Sequence, residues 1–319
     1  MKKFLIFKSD KIGDLINISC VIKNIKLNFD NCEITLVCSK YNSDISKYYP
    51  EISTILIFKN SIIGFIFKYF RKIFFYKYDY IFQLDGKKKS YFLCALLKAK
   101  YKSCVLFIKH KSILSFNYIL KRPNYFISLF FDYLIECDEK LDKESNYKYH
   151  YLTLYLKILK NYNLKIITNE HYLPFDGIID PNFTDYFHIH IDERWNKFDI
   201  NFYNKFLNCL LTENYSNKYY ITSNINGNIF FENIRDNLKK RPNIKFNENA
   251  SIKELINIIY NCHTSLSNHT GFTVHVAASF KKKIIDIVSP ELDLHYDRWI
   301  PFNINYKRYN INNFTNIFI

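Results

Sequence analysis

Two stretches far apart in the chain each combine a polar functional group, a glycine and the start of a helix. The first is Lys11-Ile12-Gly13-Asp14, which follows the apolar run Phe4-Leu5-Ile6-Phe7 and precedes apolar residues at Leu15, Ile18, Ile22 and Ile25. That spacing predicts a strand, a glycine turn and a helix, with the Asp14 carboxylate at the helix start and at the carboxyl end of a central strand. Ligands bind at that edge of open α/β sheets. Asp14 is then either a first-turn acid favoured by the helix dipole or a general base that takes a proton from a hydroxyl. The second stretch runs from Ser265 to Ser279 through Asn268-His269-Thr270-Gly271-Phe272-Thr273. Here a strand gives way to a polar glycine turn and a helix whose Ala277 and Ala278 can pack closely on a sheet. Backbone amides near Thr270 and Gly271 suit phosphate. His269 and Thr273 suit a sugar or phosphate, while His275 fits a packing or a functional role equally.

Three further constellations carry charge. His188-Ile189-His190-Ile191-Asp192-Glu193-Arg194-Trp195-Asn196-Lys197 ends a strand in two cations. Arg194 offers a bidentate fork and Lys197 a point charge, a set that can hold a diphosphate or be a solvated loop. Gln83-Leu84-Asp85-Gly86-Lys87-Lys88-Lys89-Ser90 is another strand end with a glycine turn, its lysines facing phosphate or water. From Phe58 to Tyr80, five cations (Lys59, Lys68, Arg71, Lys72, Lys77) interleave with aromatic and aliphatic residues. That pattern describes an amphipathic helix lying on an anionic lipid surface, or an outer helix with its apolar face buried. No G-x-G-x-x-G and no Walker A sequence is present, which argues against a dinucleotide oxidoreductase or a P-loop NTPase.

The composition bounds the class. The 319 residues are 48% hydrophobic and 24% charged, enough for a packed core and about two domains. Aromatics reach 18%, read first as AT-rich coding bias. A net charge of +15 favours an anionic partner, or reflects lysine used as a surface residue. The eight cysteines form no C-x-x-C pair, so they read as reduced, apolar residues of a cytoplasmic protein and not as zinc ligands. The four-residue apolar run after Met-Lys-Lys is too short for a signal peptide, and no window approaches the roughly 18 apolar residues of a membrane span. With only 6 glycines, each is expected to mark a backbone requirement.

These groups need an alternating scaffold. Strands are predicted at 3–8, 33–38, 54–58, 79–84 and 103–107, with helices at 14–28, 41–48, 61–76 and 89–99 between them. Residues 108–150 are expected to hold a helix near 124–137 and a long loop. A helix at 151–162 leads to a linker at 163–185 that carries Pro174, Gly177 and Pro181. Strands at 186–191, 218–222, 243–246, 264–267 and 283–288 then alternate with helices at 200–213, 228–240, 251–261 and 271–280. Alternation of this kind predicts parallel sheets. The fold class is α/β, with two successive doubly wound domains, 1–165 and 166–319, facing across a cleft.

In this order the pieces resemble glycosyltransferase family 9, the heptosyltransferase-like enzymes of lipopolysaccharide assembly. Lys8 through Lys11-Ile12-Gly13-Asp14 resembles the family's opening strand with its Gly-Asp turn. Asp79-Tyr80-Ile81-Phe82-Gln83-Leu84-Asp85-Gly86 is similar to its Asp-x-x-Ile-Asp-Leu strand end. His269-Thr270-Gly271-Phe272-Thr273-Val274-His275-Val276-Ala277-Ala278 is similar to its Asp-Thr-Gly-Pro-x-His-x-Ala-Ala signature. The resemblance implies a GT-B fold of two Rossmann-like domains, with acceptor bound by the first and nucleotide-sugar by the second. It implies inverting, metal-independent sugar transfer with no cofactor, to a lipopolysaccharide, lipooligosaccharide or other surface-glycan acceptor. Asp14 then falls on the family's base, and Lys197, with Arg194 competing, on its phosphate-binding lysine. Gly13, His269, Thr270, Gly271, Thr273 and His275 join the donor set; Lys11, Asp85 and Lys87 fall on the acceptor side. His269 stands where the family has an acid that touches the donor sugar, Phe272 where it has proline, and the Arg194–Lys197 loop is shorter. The implied partners are a nucleotide-sugar, a glycolipid or glycan acceptor and, through 58–80, the anionic inner-leaflet membrane of a cytoplasmic enzyme. Nucleic acid is not among them. Two other readings are a noncatalytic nucleotide-sugar or glycan-binding relative and a nucleic-acid binder.

Overall fold

The computed structural model describes residues 1–59, 61–108, 128–138, 150–212, 217–289, 296–302 and 305–317. The chain divides into one unit of Met1–Asn169 with Asp297–Trp299, and a second of Glu170–Tyr296 with Ile300–Ile319.

In the first unit the strands are β1 (Lys2–Lys8), β2 (Cys32–Cys38), β3 (Ile52–Ile57), β4 (Tyr78–Gln83), β5 (Ala99–Ile108) and β6 (Tyr133–Asp138). They form one parallel sheet in the order β3-β2-β1-β4-β5-β6. Phe4–Phe7 of β1 are all buried, as a strand covered on both faces requires. The helices are α1 (Ile12–Asn17), α2 (Ser19–Asn28), α3 (Lys40–Ser46), α4 (Ile62–Phe70), α5 (Lys88–Leu96) and α6 (Tyr151–Asn161).

Three expectations are corrected here. The single helix over 14–28 is two, divided where the Ile18 N–H turns back to the Leu15 carbonyl and tightens the turn. The helix over 61–76 ends at Phe70 and continues as a π-turn over Arg71–Phe75. Tyr69, whose backbone leaves helical angles, accepts the Ile57 N–H of edge strand β3 on its hydroxyl, so its side chain holds the chain out of register. Residues 133–138, expected to end a helix, form β6 beside β5. Of the rest of that expected helix, 129–132 form a turn and a bend ahead of β6, while 124–127 and most of the long loop lie outside the described residues. Near the end of the chain Trp299 returns to pack on Tyr151, ring centroids 3.7 Å apart.

In the second unit the strands are β7 (Tyr186–His190), β8 (Lys218–Ser223), β9 (Ile244–Glu248), β10 (Thr264–Ser267), β11 (Lys283–Val288) and β12 (Tyr306–Asn310). Their parallel order is β12-β11-β10-β7-β8-β9. Counted from its own first strand, this is the order of the first sheet, and it is a dinucleotide-fold order. A 3₁₀ turn (Glu193–Lys197) follows β7, and the helices are α7 (Ile200–Thr212), α8 (Ile229–Leu238), α9 (Ile252–Asn261) and α10 (Gly271–Ser279). Strand β12 was not foreseen. Helix α9 starts on a reciprocal Ser251–Glu254 capping box. The aromatic excess does structural work: fully buried Trp195 lies 5.2 Å from both Phe206 and Phe230, with Phe202, Phe231 and Phe314 in the same core. Among the described residues no helix is long and apolar enough to cross a membrane.

Candidate active site

In each sheet the chain reverses its winding direction between two strands, β1 and β4 in the first unit and β7 and β10 in the second. A crevice opens at the carboxyl ends of such a pair. All the candidate residues follow one of these four strands.

In the first unit, β1 ends on Lys8, a fully buried cation. Its Nζ donates to Asp10 Oδ2 at 2.8 Å, the Leu84 carbonyl at 3.0 Å and Tyr155 Oη at 2.9 Å, using all three protons. Burial pulls the Lys8 ammonium down, but Asp10, Tyr155 and Asp14 outweigh it, and the net direction is up. Burial pushes the Asp10 carboxyl up, Lys8 pulls it back, and Asp14 and Asp85 push it up again. Asp14 sits in the first turn of α1, half-buried, and its Oδ2 accepts the Lys11 N–H at 3.3 Å. Gly13 is buried in the same turn, and Lys11 is exposed.

Asp85 is a buried hub. It accepts from the Ser9 N–H and Oγ, Gln83 Nε2, the Lys87 N–H and Ser90 Oγ. Five bonds leave this carboxylate tying the β1 and β4 loops together. Lys87 Nζ donates to the Ser9 carbonyl at 2.6 Å, closing the same junction from the other side. Gly86 has φ of +61°, so its glycine meets a backbone requirement. Gly271 does not: an added Cβ would meet only the His275 ring at 4.0 Å.

In the second unit Asp192 is the organiser. Arg194 donates to its Oδ2 from Nε at 2.9 Å and Nη2 at 2.5 Å, and Thr270 Oγ1 donates to the same oxygen at 2.7 Å. Arg194 Nη1 also reaches the His269 carbonyl at 2.6 Å. The loops after β7 and β10 are thereby joined, and the Arg194 fork faces its own chain. Lys197 is exposed and has no hydrogen bond or ion pair among the described residues. Thr270 caps α10 without a side-chain bond to it, its hydroxyl being given to Asp192.

His269 is buried with φ of +46° and donates through Nδ1 to Asp286 Oδ2 at 2.6 Å. Thr273 Oγ1 is buried and unpaired among the described residues. His275 is buried and its ring stacks on His171 at 4.7 Å. Behind this edge a polar chain crosses three strands. Ser265 Oγ meets His188 Nδ1 at 2.9 Å, His188 Nε2 meets Thr222 Oγ1 at 2.9 Å, and Thr222 Oγ1 meets His190 Nδ1 at 3.0 Å.

The structure thus gathers Lys11, Gly13, Asp14, Asp85 and Lys87 at one switch point and Arg194, Lys197, His269, Thr270, Gly271, Thr273 and His275 at the other. Sequence reasoning passed over Asp10, Tyr155, Asp192 and Asp286. Asp286 left a signal: a lone carboxylate in Ile284-Ile285-Asp286-Ile287 must find partners once buried. All described cysteines are free, and no cluster of three metal-ligating side chains occurs among the described residues.

No protein-family model matches the sequence, and no curated protein does. Solved structures do. A family 9 glycosyl transferase from Veillonella parvula is 12% identical with a TM-score of 0.70, covering 99% of this chain and 88% of that one. E. coli heptosyltransferase WaaC with ADP-2-deoxy-2-fluoro heptose is 12% identical, TM-score 0.68, with 96% and 92% covered. E. coli ADP-heptose lps heptosyltransferase II is 10% identical, TM-score 0.67, with 97% and 90% covered. Two parallel six-stranded sheets of matching order, aligned over nearly the whole chain, give this protein the GT-B fold of the family 9 glycosyltransferases and heptosyltransferases.

Proposed function

We propose that this protein is an inverting glycosyltransferase that moves a sugar from a nucleotide-sugar to a surface-glycan acceptor of the lipopolysaccharide or lipooligosaccharide kind. The observation that carries the reading is that every candidate residue stands at a switch point of a fold shared with heptosyltransferases. One of those, WaaC, was solved with a fluorinated ADP-heptose, which supports a nucleotide-sugar as the partner here.

In this reading Asp14 takes the proton of an acceptor hydroxyl. The oxygen's electron pair forms the bond to the anomeric carbon from the face opposite the diphosphate, and the diphosphate departs with the old bonding pair. Lys197 and the first amides of α10 oppose the charge that builds on the leaving group, without a metal, as fixed dipoles in such sites do. Arg194 acts one step back, fixing the loop that carries those amides. Lys11 and Lys87 serve the acceptor, and Asp85 shapes their loop.

The segment 58–80 is the contact with an anionic inner leaflet on the cytoplasmic side. It holds no acidic residue between Glu51 and Asp79. Ile63, Phe67 and Phe75 are 70%, 79% and 75% exposed beside Lys68, Arg71 and Lys72. Aromatic side chains of this kind enter the lipid interface while the cations meet its headgroups.

A thermal-shift screen against nucleoside-diphosphate sugars tests the donor, since a ligand that binds only the folded chain raises its melting temperature. With the donor in hand, Asp14→Asn should fold normally and lose most transfer. Near-normal turnover by that variant removes Asp14 as base, and donor binding without turnover on any acceptor turns the reading to a noncatalytic binder.

A further inference from the structure

Beside α9 the second unit holds a cleft of about 130 Å³, and none of the residues lining it belongs to the switch point. Phe183, Tyr220 and Ile258 make its apolar side. The two rings stack with centroids 5.5 Å apart, and Ile258 is 7% exposed. Asn247 from β9 and Glu254 and Asn257 from α9 make its polar side. The volume is about four times the ~30 Å³ of one liquid water, which suits a single six-membered ring. Glu254 and Asn257 also line an open groove of about 710 Å³ bounded by residues 175–181, so a longer molecule seated in the cleft has room to leave it.

The polar side keeps hydrogen-bonding capacity to spare. Glu254 takes the Ser251 N–H on Oε2 at 2.8 Å, closing the capping box of α9, and as an exposed carboxylate it can accept further bonds. Asn257 Oδ1 accepts from Asn261 Nδ2 at 3.4 Å, while its own Nδ2 has no partner among the described residues. The two stand three residues apart on a helix, which makes them neighbours on one face. An acceptor and a donor therefore lie side by side across from an apolar wall. Sugar hydroxyls answer such a pair, since each can donate to a carboxylate and accept from an amide, and the C–H face of the ring suits the wall. Among the described residues no cation lines the cleft, although the chain carries a net charge of +15. The nearby Lys245 is taken up over the Phe183 ring, 4.2 Å from its centroid. With Glu254 as the charged group in the lining, the cleft disfavours phosphates and sugar acids.

We propose that this cleft is a second saccharide site, seating one ring of a neutral oligosaccharide against Phe183, Tyr220 and Ile258 and binding its hydroxyls through Glu254 and Asn257. The site goes beyond the transferase reading and does not depend on it.

The test uses the full chain and five neutral disaccharides: lactose, maltose, cellobiose, mannobiose and N,N′-diacetylchitobiose. Saturation-transfer NMR should detect at least one, with a Kd on the order of 1 mM. The side-chain amide signal of Asn257 should move as that sugar is added. Two variants then separate the contacts from the fold. Glu254→Gln keeps a capping-box residue at the start of α9 but removes the charge. Asn257→Ala keeps the Asn257 carbonyl that Asn261 Nδ2 bonds at 3.0 Å. Each should weaken binding about three- to tenfold, one hydrogen bond's share, at an unchanged melting temperature. Absence of binding by all five sugars overturns the inference. So does binding that leaves the Asn257 amide still and both variants at wild-type affinity, because the sugar is then held elsewhere. Either failure leaves the transferase reading standing, since no switch-point residue is altered.

Discussion

Acidification below pH 6.5 should loosen the second unit, because of the histidines behind its switch point. His190 is 1% exposed and His188 fully buried. In the chain Ser265–His188–Thr222–His190 each contact can have one donor and one acceptor with both rings neutral, provided the hydroxyls turn in concert with the ring tautomers. A second proton on His188 would place a positive charge on a fully buried ring, away from the solvent that would stabilise it. Burial accordingly lowers the His190 pKa to about 4 from its ordinary 6.5, with Asp192 pulling it up and Arg194 pushing it down. Burial and the neighbouring His190 hold His188 well below its ordinary value too.

A group of this kind is protonated in the unfolded chain first. Between pH 6.5 and 4 the unfolded state binds more protons, so stability is complete above pH 6.5 and falls as the pH falls. Taking His190 alone from pH 7.5 to 5.0 costs about 2 kcal/mol, and His188 adds in the same direction at up to roughly 1.4 kcal/mol per pH unit. Trp195, fully buried in the second unit, is the probe. In a Trp299→Phe background the chain has no other tryptophan, so urea titrations followed by fluorescence report that unit separately. His190→Asn should flatten the pH dependence by about half. A wild-type unfolding free energy that changes by less than about 1 kcal/mol over this range would refute the argument, since it would mean that the rings are not kept neutral by the fold.

Other changes probe the remaining links. Asp85→Ala leaves the Ser9, Gln83, Lys87 and Ser90 donors without their acceptor and should destabilise the first unit by roughly 3 kcal/mol, read by urea titration of Trp299 fluorescence in a Trp195→Phe background. Asp192→Ala frees the Arg194 fork and the Thr270 hydroxyl; because Arg194 is 26% exposed, the cost should be roughly 2 kcal/mol, seen as a lower Trp195 unfolding midpoint. Phe67→Ser with Phe75→Ser should weaken sedimentation with vesicles containing anionic phosphatidylglycerol at unchanged melting temperature, because both rings are already in water. Equal binding to purely zwitterionic vesicles would remove the role of the cations.

Much of the scaffold was legible because local pattern and tertiary environment agree. Phe4–Phe7 is an unbroken apolar run because both faces of β1 are covered, and Gly86 is glycine because its backbone is left-handed. Strand β6 was hidden: residues 133–138 mix tyrosine, glutamate and aspartate, and only pairing with β5 at the sheet edge makes them a strand.

At the switch points the sequence by itself determined which side chains arrive, since each follows a strand whose length and order are written in hydrophobic pattern. It placed Asp14, Lys197 and His269 at the carboxyl ends of strands. Only the tertiary structure decided what those side chains are occupied with. Arg194 and Lys197 read alike as cations, yet Asp192 and the His269 carbonyl engage one and leave the other exposed. Asp85 reads as a ligand contact, yet five donors from three segments meet on it. Hydrogen bonds between residues 17 and 78 positions apart, such as Asp286 with His269 and Asp192 with Thr270, depend on which strands lie side by side. Strand adjacency is fixed by the packing of whole crossovers and leaves no mark in the local spacing.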